Sequence, residues 1–132
     1  MTAAGRRRRS ALARDCGGSA ALEFGLVVLP LLAFLFGIIE AGRLLWIQKA
    51  LHYAVEAAAR CASIDTIVCD NATDTAGFAA NSATVAVPAS VFTVTVNAAN
   101  SCNRVVASYP TALNIPLVSV SLTLTATACY PR

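Results

Sequence analysis

The sequence predicts an α+β protein in which one long N-terminal helix packs on a small antiparallel β-sheet. Helix-forming residues run from Leu22 to Ala62, and beyond Ile39 the apolar positions Leu44, Ile47, Leu51, Val55, Ala58 and Ala62 recur at steps of three and four. The C-terminal half is instead rich in Val and Thr. In its last segment, Leu117–Thr127, the residues Val118, Val120, Leu122 and Leu124 alternate with Ser119, Ser121, Thr123 and Thr125. A sheet with one apolar face needs a cover, and the amphipathic part of the helix supplies it.

The helix changes character along its length. Phe24 to Ile39 is free of charge, and 57% hydrophobic against 13% charged residues is too apolar for a purely soluble chain of 132 residues. The Leu, Ile, Val and Phe side chains from Leu22 to Ile39 favour insertion by roughly −4 to −8 kcal/mol, against at most about +3 for Glu23 near the edge. Residues 19–41 are therefore read as the transmembrane half and residues 42–62 as an amphipathic half outside the bilayer. A helix from Leu22 to Ala62 spans about 60 Å, of which about 30 Å fits in hydrocarbon. Pro30 is expected to bend the membrane half. Ala33, Gly37 and Ala41 form a small-residue row that suits close helix approach. In the outer half Lys49, Tyr53, Glu56 and Arg60 make the polar face, and Glu40 with Arg43 and Glu56 with Arg60 are spaced to pair along the helix.

Residues 63–132 are expected to form a small exported domain. Thr, Asn, Asp and Ala dominate as far as Ala83, with a short helix expected around Thr75–Ser82. Strand signals follow at Thr84–Val87, Val91–Val96, Arg104–Ser108 and Leu117–Thr127, divided by Pro88, Pro110 and Pro116.

Charge sets the orientation. Arg6, Arg7, Arg8, Arg9 and Arg14 precede the apolar run with only Asp15 against them, so residues 1–18 carry a net +4 of a chain total of +3. A basic block before a membrane segment stays in the cytoplasm and directs the rest outward. Beside such a segment, an RNA-binding arm is the weaker reading of the arginines, and no nucleic-acid partner is expected. The run is retained rather than removed as an ordinary signal peptide, because no small-residue cleavage pattern follows it.

Cysteine placement agrees. Cys16 falls on the cytoplasmic side, whereas Cys61, Cys69, Cys102 and Cys129 fall on the exported side, where disulfides form. Of three possible connectivities, Cys61–Cys69 and Cys102–Cys129 are favoured because each closes a short loop next to an element end. Chain-entropy arithmetic assigns them about 2.6 and 3.6 kcal/mol. A zinc site is disfavoured, since there is no C-x-x-C pair and His52 is the only histidine. Asp65, Asp70 and Asp74 lack an EF-hand spacing. No nucleophile system and no phosphate-binding loop is evident, so neither catalysis nor a cofactor is expected.

Gly18, Glu23 and Phe24 remain: "GGSAALEF" ends a basic leader in glycine and places glutamate five residues later. This arrangement resembles a type IV prepilin. More narrowly, Gly18–Ala62, with "EF" before the apolar core, "LP" within it, "GIIEAGR" after it and "AAAR" near the helix end, resembles the TadE-like family of tight-adherence (Flp) pilus minor pilins or pseudopilins. The resemblance implies a pilin-like fold, a single-pass protein of the bacterial inner membrane with its C-terminal domain in the periplasm, and a role in pilus assembly and adhesion. It implies cleavage between Gly18 and Ser19 by a prepilin peptidase, and partners among other pilins, pseudopilins and inner-membrane assembly proteins. Residues 1–18 are then a leader, and the free amine of Ser19, with a pKa of about 7.7–8, lies one turn from Glu23. A TadF-like role, a type II secretion pseudopilin, and an uncleaved signal-anchored periplasmic binding or structural protein are the alternatives.

Overall fold

The computed structural model describes residues 17–98, 101–115 and 118–131. The chain divides into two compact units between Gly37 and Ile38. The described part of the first is helix throughout. The second contains the rest of that helix, a short helix and a three-stranded sheet. The class is α+β, as the sequence predicts.

Helix α1 runs over Gly17–Ile64 with Pro30 inside it. It reaches further back than the expected Leu22: Gly17 and Gly18 are already helical. Each glycine costs only about 1 kcal/mol in a helix, which a long apolar helix propagating from Ser19 offsets. In the second unit α1 buries Ile47, Ala50, Leu51, Ala54, Val55, Ala58 and Ala59, while Lys49, Tyr53, Glu56 and Arg60 are exposed. These are the two faces that the three-and-four spacing predicts, except that Leu44 and Ala62 are only half-buried. Of the two spaced ion pairs, Glu40–Arg43 closes at 3.0 Å. Glu56–Arg60 does not close, as expected of an exposed pair whose attraction barely exceeds the entropy of holding it.

Helix α2 (Ala72–Ser82) follows a loop stapled by Cys61–Cys69, whose Cα atoms lie 5.9 Å apart. The loop turns on Asp65, whose Oδ1 accepts hydrogen bonds from the amides of Ile67 and Val68 at 3.0 and 3.1 Å. Asn71 caps α2 by accepting from the Asp74 amide at 2.9 Å, and Asp74 accepts in turn from Asn71 Nδ2 at 2.7 Å. Two of the three loop aspartates thus have local structural partners.

The sheet consists of β1 (Phe92–Ala98), β2 (Cys102–Ile115) and β3 (Val118–Pro131), antiparallel in the order β1-β2-β3. Two expectations are corrected here. Thr84–Val87 is not a strand: Val85 and Val87 turn toward the core and Thr84 and Ala86 outward, but the segment has no strand neighbour. Pro110 does not break a strand either, because it sits inside β2 opposite Thr123. Pairing of β1 to β2 stops at Phe92 opposite Ala107. From Ser108 onward β2 has one free edge, where a missing N–H removes no ladder bond. Pro116 lies outside the described residues.

The inner face of the sheet buries Val105, Ala107 and Ala126 against Leu51, Val55 and Ala58, with Ala76 and Ala79 of α2 and Phe92 of β1 closing the cluster. Polar ties fix the sheet on α1. Buried Asn103 donates to the Ala62 carbonyl at 2.8 Å and to Ser63 Oγ at 3.1 Å. Gln48 Nε2 donates to the Thr125 carbonyl at 2.8 Å. Cys102 and Cys129 join β2 to β3 with a Cα separation of 5.7 Å.

Candidate functional site

The residues singled out by spacing lie in the first two turns of α1. Gly18, Ser19, Glu23 and Phe24 are all exposed, in a helix whose other side chains over this stretch are also outward and apolar, among them Leu22, Leu26, Val27 and Leu29. No compact core receives them. Among the described residues α1 is the helix long and apolar enough to cross a membrane, which makes it a candidate span.

Glu23 is the single charged residue between Gly17 and Ile39. One turn separates it from Ser19, and Ser19 Oγ donates to Glu23 Oε1 at 3.5 Å, the outer limit of a hydrogen bond. The carboxylate is therefore turned back toward the start of the helix. A helix starting at Ser19 would bring its positive end one turn from the carboxylate.

Gly18 bears on the same point. A Cβ added there meets no atom within 4 Å, and its backbone is helical with no positive φ. Among the described residues, neither conformation nor packing requires glycine at this position. Arg6, Arg7, Arg8, Arg9, Arg14 and Cys16 lie outside the described residues.

At the other end of the apolar run, Glu40 and Arg43 form the ion pair noted above, and Arg43 Nη2 also donates to the Ala112 carbonyl of β2 at 2.9 Å. Sequence reasoning found the first contact but not the second, which joins residues 69 apart. His52, the lone histidine, faces Gln48 Nε2 at 3.0 Å. Among the described residues no three His, Cys, Asp or Glu side chains gather into a metal site. An open groove between Tyr53, Arg60, Ile64, Val68, Phe78 and Tyr130 lies on the second unit.

Fold and site together define a class: an α+β protein with one long helix as its candidate membrane span and a sheet domain held by two cystine pairs. Residues 18–60 match the model of the TadE-like protein family. The match covers 43 of the 132 residues, and residues 1–17 and 61–132 lie outside it. No curated protein and no solved structure matches the chain.

Proposed function

We propose that the chain is a minor pilin or pseudopilin of a tight-adherence pilus, held in the inner membrane by α1 and cut between Gly18 and Ser19 by a prepilin peptidase before assembly. The observation that carries this reading is the placement of Glu23, one turn from Ser19 and turned toward it. The carboxylate gains its partner through cleavage. Removal of residues 1–18 creates a protonated amine on Ser19, one turn away, and also brings the positive end of the helix to the carboxylate. In hydrocarbon that pairing matters more than it would in water, because an ionised group left there without a partner is costly. When helices bundle, the amine of a neighbouring subunit offers the same partner.

The basic residues Arg6–Arg9 and Arg14 keep the leader and the scissile bond at the cytoplasmic face, where the peptidase acts. The two cystine pairs suit an exported domain. No catalytic role and no cofactor belongs to this reading: the domain works by contact with other pilus components, and Phe24 contributes to recognition beside Glu23.

Glu23→Ala is the direct test. Cleavage should persist, leaving Ser19 as the N-terminus, while incorporation into or onto the pilus falls by about tenfold or more if the charged hydrogen bond contributes about 1.5–3 kcal/mol per subunit. Immunoblots of sheared pili and membranes, with N-terminal sequencing of the membrane form, read both quantities. Wild-type piliation by Glu23→Ala would show that the carboxylate does not act through the amine.

A further inference from the structure

The inner face of the β2–β3 hairpin is covered only in part. Ala126 is buried, and Leu124 and Tyr109 pack against the core, but Val120 is 49% exposed and Val118 is 56% exposed although both share that face. On the helix the core stops at Ile47, and the preceding Trp46 is 64% exposed.

Two hydrogen bonds give the direction of the uncovered end. Gln48 holds Thr125, and Arg43 holds Ala112, which pairs with Ser121. Between these ties the helix retreats about 7.5 Å while the strand runs about 13 Å, so the hairpin slants along α1 toward lower residue numbers. From Ser121 to Val118 the strand covers about 10 Å more, which at the same slant is about 6 Å of helix axis. Arg43 stands the same distance, about 6 Å, from Ile39, the last residue of the uncharged run. At that slant the uncovered valines lie about level with Ile39 of the same unit, where the uncharged run ends. The outward face of the same strand carries Ser119, Ser121 and Thr123.

We propose that this end of the hairpin is a second membrane contact, with Val118 and Val120 seated in the interfacial layer of a phospholipid bilayer at the depth of the ion pair Glu40–Arg43 and with Trp46 just outside them. The proposal rests on the membrane-anchored reading of α1. The surface is apolar on one side and hydroxyl-bearing on the other, and Trp46, exposed on α1 three residues beyond Arg43, is an aromatic residue of the kind that favours the interface. Such a contact restrains the tilt of the sheet domain over the bilayer, and withdrawal of α1 from the membrane would break it.

Trp46 is the only tryptophan, so Trp46→Phe gives a silent background for single reporters in the full chain, reconstituted in phosphatidylcholine vesicles containing lipids brominated on the acyl chain near the headgroup. Val120→Trp should lose about half its emission or more, as expected for a residue at the edge of the hydrocarbon, while Thr127→Trp, at the opposite end of the same strand, should be unchanged. Equal quenching at the two positions would overturn the proposal. So would a blue-shifted but unquenched Val120→Trp, which would mean that protein rather than lipid covers the face. Phe34→Trp, inside the span, separates the failures: quenched there but not at Val120, the hairpin contact alone is wrong; unquenched at both, the membrane reading itself is wrong.

Discussion

Gly18→Val is expected to leave the whole membrane-bound product beginning at Met1, with the helix, the sheet and both cystine pairs intact. A Cβ at this position meets nothing within 4 Å, and valine is a better helix former than glycine by a few tenths of a kcal/mol. The substitution therefore costs the chain nothing, and any loss belongs to an external reader of the glycine. Without cleavage no amine forms at Ser19, Glu23 keeps only its weak hydroxyl contact, and assembly onto the pilus should fall at least as far as in Glu23→Ala. Intact mass measurement of the purified membrane form gives the answer directly. Processing of Gly18→Val at the wild-type rate would remove glycine from the recognition of the site.

Leu51→Ala is expected to lower the stability of the sheet-bearing unit by about 2–5 kcal/mol. Leu51 is fully buried where α1 meets the sheet, in one cluster with Val55, Val105 and Ala126. For a unit of this size each kcal/mol lowers the melting temperature by about 4–8 °C, so thermal unfolding in detergent should shift by about 10 °C or more. Lys49→Ala, on the exposed face of the same helix, should stay within about 0.5 kcal/mol of the parent. Equal effects from the two would mean that this face of α1 is not the one packed on the sheet.

What the sequence made legible is what depends on near neighbours. The two faces of α1 follow from helical spacing, and the alternation in Leu117–Thr127 places Leu122 and Leu124 inward and Thr123 and Thr125 outward as observed. The strand signal at Thr84–Val87 came from its Val and Thr content, which could not show that no strand lies beside it among the described residues. Pro110 misled for a related reason: its effect depends on whether β1 reaches that far along β2, and β1 ends first. The ties that fix the sheet on the helix were invisible, since Gln48 to Thr125 and Asn103 to Ala62 join residues 77 and 41 apart. Asn103 carried a faint signal, because it shares the parity of Val105 and Ala107 and a strand that buries those buries it too.

The candidate site was legible because it is local. Gly18, Ser19, Glu23 and Phe24 lie within seven consecutive residues of one helix, so spacing alone fixes their relation. The structure added the orientation of the Glu23 carboxylate toward Ser19 and the absence, among the described residues, of any packing that needs glycine at 18.

The central claim is that the chain is two pieces that part between Gly18 and Ser19. The most direct measurement is the N-terminal residue of the membrane-bound protein expressed with and without a prepilin peptidase. The account predicts Ser19 when the peptidase is present and Met1 when it is absent; Met1 in both would contradict it.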